Sequence, residues 1–388
     1  MKDTISVKEA VAAFEALIKE QQERHDKMMP LSKRPFKDRD KIIIGTIAGD
    51  GIGLIIMEET QKVLSALLAR DKNRIELREI EGLTIENRIA VKATLPPHVL
   101  TQISQCDVLL KGPTTTPDNR ETSINMESAN VALRRELDLY ANVRPVSIPE
   151  KNIDWMFFRE NTEGEYVLGS RGIDIGDIAF DFKVTTTKGT RRIARAAFEY
   201  AKANGNSKVT IITKANIMKK TDGKFLEICY DVAKEYPDIP VDDRYVDIMA
   251  ANLVNPQVQS DFRVILAPNL YGDILTDEAA QLQGGVGTAG SGNIGDQYAM
   301  FEAIHGSAPR MVSSGRGEFA NPASLMKASE MLLRHIDKVE EANILKDALI
   351  FADTTVNVLR DGTGDKGSDY TNAVLSFIAS NWGKTKEF

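Results

Sequence analysis

Apolar positions near the N-terminus fall at Val7, Val11, Phe14, Leu17 and Ile18, with charged residues between them. That spacing follows the helical turn, so it predicts an amphipathic helix. Such a helix could dock a partner chain, but packing on its own domain is the simpler use and is favoured. Beyond Lys41 the pattern changes. Ile42-Ile43-Ile44-Gly45 predicts a buried strand, then a glycine-rich turn at Gly49-Asp50-Gly51-Ile52-Gly53, then a helix to about Ala69. Short apolar runs at 108–110, 156–158, 209–212 and 264–266 predict further strands, and 191–203 and 223–234 carry helical patterns between them. Strands alternating with helices predict an α/β architecture with a largely parallel core.

Composition narrows the class. With 388 residues, 42% of them hydrophobic, the chain can fill a core and suggests two domains. A formal net charge of −7 gives no global field for nucleic acid. Two cysteines, Cys106 and Cys229, support neither a disulfide scaffold nor a structural zinc site. No apolar run approaches the roughly 18–20 residues that cross a bilayer, so no membrane partner is expected. Glu9, Glu15, Glu20 and Glu23 argue against a secretory or mitochondrial leader, and a reducing, cytoplasmic compartment is expected.

Three clusters carry candidate chemistry. Between Gly284 and Gly295 six of twelve residues are glycine, and two overlapping segments, 285–290 and 290–295, match G-x-G-x-x-G. A Rossmann site needs a strand before the glycines and a helix after them. Here a helical composition precedes them and a further loop is expected to follow, so a Rossmann fold is not expected. A loop that approaches phosphate closely is the alternative to a plain surface loop. In the segment 128–145, Asn130 and Arg134 lie one helical turn apart, Ser128 suits an N-cap, and Arg144 precedes Pro145. Arg159 closes a strand run. Any one arginine is most simply a solvated ion pair, but three together suit a di- or tricarboxylate. Asp273 and Asp277, spaced i and i+4 on a helix starting near Gly272, suit Mg²⁺ or Mn²⁺ rather than zinc. Asp247 offers a third carboxylate.

Several motifs then occur in one order: Ile47 to Gly53, Lys111-Gly-Pro113, Ser128 to Pro145, Phe158 to Tyr166, Lys214-Ala-Asn216, Asn269 to Asp277, Asn293-Ile-Gly295, His305 to Pro309, and Asn321-Pro322. Together they resemble the isocitrate/isopropylmalate dehydrogenase family over about residues 41–380. The resemblance implies a two-domain, non-Rossmann α/β fold. A large domain is built from 41–139 and 284–388, a small one from 140–283 with a dimerisation clasp at about 164–187, and residues 1–40 form a helical extension. It implies a homodimer with shared active sites. Ser128, Asn130, Arg134, Arg144 and Arg159 would bind substrate, and Asp273, Asp277 and a partner's Asp247 the divalent ion. Lys214, also from the partner, would act as base and Tyr166 as proton donor. Thr116, Gly284, Gly285, Gly287, Asn293, His305, Gly306, Arg310, Met311 and Asn321 would cradle the nicotinamide dinucleotide.

Substrate and cofactor follow from finer details. Isopropylmalate enzymes resemble one another in placing leucines before the first arginine. Ser128 and Asn130 are polar, so they favour the γ-carboxylate of isocitrate, with homoisocitrate next. Arg310 could pair a 2′-phosphate and so argues for NADP. The short clasp and the lack of a matching C-terminal Tyr and Arg side with NAD, which is favoured. Silent regulatory paralogues in the family are the rival to an enzyme, and the retained base, tyrosine and aspartates speak against that reading.

Overall fold

The computed structural model of the chain describes residues 5–28, 35–117, 126–169, 171–285, 289–359 and 361–382. The apolar runs become strands: β1 (Ile42–Ile47), β2 (Ile75–Glu79), β3 (Val108–Lys111), β4 (Ala141–Ile148), β5 (Ile153–Glu160) and β6 (Ile173–Asp174). Then come β7 (Ala179–Phe180), β8 (Val209–Thr213), β9 (Val241–Tyr245), β10 (Val264–Ala267), β11 (Gly290–Ile294) and β12 (Ala299–Ala303). Contacts divide the described residues into two compact units, one from residues up to 32 with 140–279, the other from 33–139 with 280–388.

In the second of these units the strand order is β2-β1-β3-β12-β11. All pairs are parallel except β11 with β12. Val108, Leu110 and Phe301 enter one hydrophobic cluster, while Leu109 and Met300 enter another. Successive side chains therefore point to opposite, equally covered faces, which is why these strands read as unbroken apolar runs. The helices Gly53–Leu67, Ala323–His335 and Gly367–Asn381 supply Ile56, Leu332 and Val374 to the first cluster.

The unit built on 140–279 has the order β4-β5-β10-β8-β9, antiparallel only between β4 and β5. The helix Thr187–Ala203 buries Ile193, Ala194, Ala197, Phe198 and Ala201, the period of one helical face. Thr186 caps it, accepting a hydrogen bond from Gly189 N at 3.0 Å. β6 and β7 pair antiparallel, and Gly164 bridges Val184. The N-terminal helix, Val7–Lys27, opens with a capping box: Glu9 N donates to Ser6 Oγ, and Ser6 N donates to the Glu9 carboxylate at 2.8 Å. It packs within this unit, where Phe14 stacks on Phe182 with ring centroids 4.8 Å apart. None of its residues is fully buried.

One expectation is overturned. Gly290–Ile294 is not a loop but β11, paired antiparallel with β12. Its glycines serve close packing. A Cβ on Gly290 would lie 2.3 Å from Ala328 N, and one on Gly292 would lie 3.0 Å from Phe301 Cε1. Smaller differences concern helix ends: the Asp273 helix starts at Asn269, and the helix expected to run to Ala69 stops at Leu67. Ser128 occupies the N-cap of Ala129–Glu136, yet its side chain makes no capping bond. No described helix is long and apolar enough to cross a membrane.

Candidate active site

The unit of residues 140–279 gathers two candidate arginines, two candidate carboxylates and a tyrosine. Arg144 projects from β4 and Arg159 from β5, which pair antiparallel. The end of β10 at Ala267 lies in register with Arg159, and the helix Asn269–Leu282 starts two residues later. Chain topology thus delivers the first turns of that helix to the arginines. Gly272 makes room, since a Cβ there would sit 2.6 Å from Arg159 Cγ. Arg144 Nη1 donates to Asp277 Oδ1 at 3.0 Å and to Thr276 Oγ at 2.8 Å. Arg159 Nη1 donates to Asp273 Oδ1, and Tyr166 OH donates to Asp273 Oδ2 at 2.7 Å. Each carboxylate is therefore paired with a buried guanidinium from a neighbouring strand.

Lys214 follows β8 and Asp247 follows β9. Parallel pairing sets Thr213 opposite Tyr245, so the residues just beyond come together. Lys214 Nζ donates to Asp247 Oδ1 at 2.6 Å. That hydrogen bond holds the Asp247 carboxyl below its ordinary range. Among the described residues no three His, Cys, Asp or Glu side chains gather to hold a metal. Asp273 and Asp277, one turn apart and offering oxygen donors alone, have the chemistry of two hard-oxygen ligands and fit a Mg²⁺ or Mn²⁺ site in part.

The other unit holds the remaining candidates. Asn130 and Arg134 share the helix Ala129–Glu136. Thr114 Oγ donates to Asn130 Oδ1 at 2.9 Å, and Arg134 Nη2 donates to Glu302 Oε1 at 2.9 Å. Gly284 and Gly285 end the Asn269–Leu282 helix with φ of 110° and 109°, a backbone that favours glycine. Gly287 lies outside the described residues. Thr116, Gly306 and Arg310 are exposed, whereas Met311 is buried in the short helix Pro309–Ser313. Ala308, just before that helix, takes φ of 43° without being glycine, a local strain of the kind found at ligand-binding loops. His305 Nδ1 lies 3.0 Å from Gly306 O, and Asn321 Oδ1 accepts from Ala323 N at 2.9 Å. Asn293, expected to help cradle the dinucleotide, faces an acid. Its side chain is fully buried on β11 and donates to Glu302 Oε1 at 2.8 Å, so in this structure it orders a buried acid.

Sequence reasoning passed over several buried acids and one amide. Glu302 sits on β12 with Lys111 Nζ 3.4 Å away and Arg134 at 2.9 Å. Burial pushes its carboxyl up, but Lys111, Arg134 and Asn293 outweigh that and hold it at about 2. Glu160 and Glu163 are both buried, and burial, then the neighbouring Glu163, push Glu160 up to about 7. Asp50 in the glycine turn accepts from Ile85 N at 2.7 Å and Thr115 N at 2.6 Å, so the turn is a structural tie. Asn269 holds Arg159, with its Oδ1 accepting from Nε at 3.0 Å and Nη2 at 2.6 Å. The sequence signal for Glu302 was an acid inside the apolar run Ala299–Ala303.

These features define first a class: a non-Rossmann α/β protein with arginines and hard-oxygen carboxylates clustered where strands meet a helix start. The chain belongs to the isocitrate/isopropylmalate dehydrogenase family, whose sequence profile matches residues 43–373. It is 38% identical to a regulatory subunit of the mitochondrial NAD isocitrate dehydrogenase from Dictyostelium discoideum, over 87% of this chain and 92% of that one. Homoisocitrate dehydrogenase from Methanocaldococcus jannaschii is 36% identical over 86% and 96% of the two chains. The NADP isocitrate dehydrogenase of Thermus thermophilus is 36% identical, over 88% and 68%. A solved isocitrate dehydrogenase from Methylococcus capsulatus superposes with a TM-score of 0.74 at 34% identity, covering 87% of this chain and 99% of that one.

Proposed function

We propose that this protein is an isocitrate dehydrogenase that oxidises and decarboxylates isocitrate to 2-oxoglutarate and CO₂, with NAD as the favoured cofactor and NADP the alternative. One observation carries the reading: Arg144 with Asp277, and Arg159 with Asp273 and Tyr166, neutralise one another within one cluster. A substrate carboxylate would take over the arginines and leave Asp273 and Asp277 to hold a divalent cation. Arg134, Ser128 and Asn130 are the polar groups offered to a further substrate carboxylate, and an isopropyl group would leave such polar atoms unpaired. Asp247 from a second copy completes the cation ligands, which makes the functional form a homodimer.

A bound divalent cation would supply the acidity of the substrate hydroxyl, and a bound nicotinamide dinucleotide would supply the hydride acceptor. Lys214 of the same second copy, as the neutral amine, takes the hydroxyl proton, and its 2.6 Å contact with Asp247 sets the direction of Nζ. The β-carboxylate leaves as CO₂ and its bonding pair stays on the substrate, where Tyr166 OH delivers a proton to carbon. Gly284, Gly285, His305, Asn321 and Thr116 hold the dinucleotide, and Arg310 is the exposed cation a 2′-phosphate would meet.

Calorimetric titration tests the exchange of partners. Isocitrate affinity should rise when Mn²⁺ is present and Mn²⁺ affinity should rise by the same factor with isocitrate, because the coupling is reciprocal. Uncoupled binding, or none, contradicts it. A regulatory subunit is the second reading, favoured by the name of the Dictyostelium relative. Such a protein would bind isocitrate and turn over none.

A further inference from the structure

We propose that Arg24, on the N-terminal helix, is a positioning residue for Arg159, so that this helix sets the affinity of the active site for its substrate. The inference rests on Arg159 being a substrate-binding arginine. The connection runs through Glu163 and Asn269, within one unit. Arg24 Nη1 donates to Glu163 Oε1 at 3.3 Å, and Nη2 to Thr162 Oγ at 3.2 Å. The Glu163 carboxylate is only 3% exposed. It also accepts from Thr186 N at 2.8 Å and from Thr186 Oγ at 2.5 Å. Gly189 presses on it from the next helix, because a Cβ there would lie 2.3 Å from Glu163 Oε1.

The backbone of Glu163 carries the constraint onward. Its carbonyl accepts from Asn269 Nδ2 at 3.0 Å. Asn269 Oδ1 in turn holds two nitrogens of Arg159, at 3.0 and 2.6 Å. One face of Glu163 is thus tied to the N-terminal helix and the other to the amide that aims the guanidinium. Arg24 also supplies positive charge beside two buried carboxylates, Glu160 and Glu163, for which Arg192 is a further cation contacting Thr162 Oγ at 3.1 Å. Losing Arg24 leaves the acid pair with less counter-charge, and the 160–163 turn must relax. Asn269 and Arg159 move with it. A substrate arginine misplaced by about 1 Å can cost on the order of a hundredfold.

The helix has other anchors that should keep it docked without Arg24. Phe14 stacks on Phe182, Glu20 pairs with Arg171 at 2.5 Å, and Lys188 Nζ donates to His25 O at 2.9 Å. Arg24→Ala therefore removes the link alone, and Glu20→Ala weakens docking alone.

The test measures kcat and both KM values for the full chain, with hydrogen exchange at the amides of Thr162, Glu163 and Thr186. Arg24→Ala should raise KM for isocitrate about tenfold, within the range such misplacement allows. KM for the dinucleotide should stay within about twofold, and those amides should exchange faster. Arg24→Lys should recover part of the loss, and Glu20→Ala should leave both KM values unchanged. Unchanged exchange in Arg24→Ala overturns the proposal, as does faster exchange with unchanged KM for isocitrate. If the wild-type protein turns over no isocitrate, the substrate reading fails separately. Exchange at Asn269 to Gly272 then decides the link, faster exchange in Arg24→Ala supporting it and unchanged exchange overturning it.

Discussion

Each compact unit buries a glutamate on a strand, and the two are handled in opposite ways. Glu302 on β12 is 4% exposed and meets Lys111, Arg134 and the Asn293 amide. Glu160 at the end of β5 is 2% exposed and meets a second acid, Glu163, with hydrogen bonds from Thr162 N at 3.0 Å, Thr162 Oγ at 2.7 Å and Glu163 N at 2.6 Å. Burial is nearly equal, yet one carboxyl is held at about 2 and the other pushed to about 7. The charge of the neighbours decides the outcome, not depth: two cations face the single acid Glu302, whereas Glu160 faces a second carboxylate. The unit around Glu302 has a satisfied ionic centre that fixes Arg134 in place. The unit around Glu160 carries two buried acids side by side, next to the candidate Arg159.

The largest effect should come from breaking the satisfied centre. Glu302→Gln leaves Lys111 and Arg134 without a counter-charge in a buried site, at a cost of about 3–5 kcal/mol. Urea unfolding measures it, and a loss below about 1 kcal/mol would mean that water or another acid compensates. Next is Gly189→Ala, which drives a methyl group into the Glu163 carboxylate. Overpacking of this kind costs about 1–3 kcal/mol, and the same unfolding assay reads it.

The smallest effect is the most discriminating. In the fold Glu160 keeps its proton up to about 7, against an ordinary value of 4.5. Between those values the folded chain binds more protons than the unfolded one, so Glu160 makes stability fall as pH rises. Glu302 has the opposite sign, its contribution being present above 4.5 and lost as pH falls towards about 2. Glu160→Gln should therefore raise Tm by about 2–4 °C at neutral pH, roughly the shift expected for 1 kcal/mol, and flatten the profile between 4.5 and about 7. Equal profiles for the variant and wild type would remove the contrast between the two glutamates.

Much of this was legible from residue order. Unbroken apolar runs such as Val264–Ala267 mark strands covered on both faces, and the face carrying Ile193, Ala197 and Ala201 shows its helix plainly. The i, i+4 aspartates and the arginine-bearing strands were visible and are brought together. β11 was hidden because its glycines resemble a loop. They are there for close approach to the helix Ala323–His335, a reason that no local pattern encodes. Asn269 and Glu163 were hidden too, since their hydrogen bonds join positions 106 residues apart. The contact of Asn293 with Glu302 was hidden as well, because motif membership does not say which way a side chain faces.

The most direct test of the account is the rise in reduced-nicotinamide absorbance with Mn²⁺ for the purified full chain, comparing isocitrate, homoisocitrate and isopropylmalate, each with NAD and with NADP. Turnover strongest with isocitrate, and faster with NAD than with NADP, is the predicted result. No turnover with any pair, in protein shown to be folded, would contradict the enzyme and leave the silent regulatory reading.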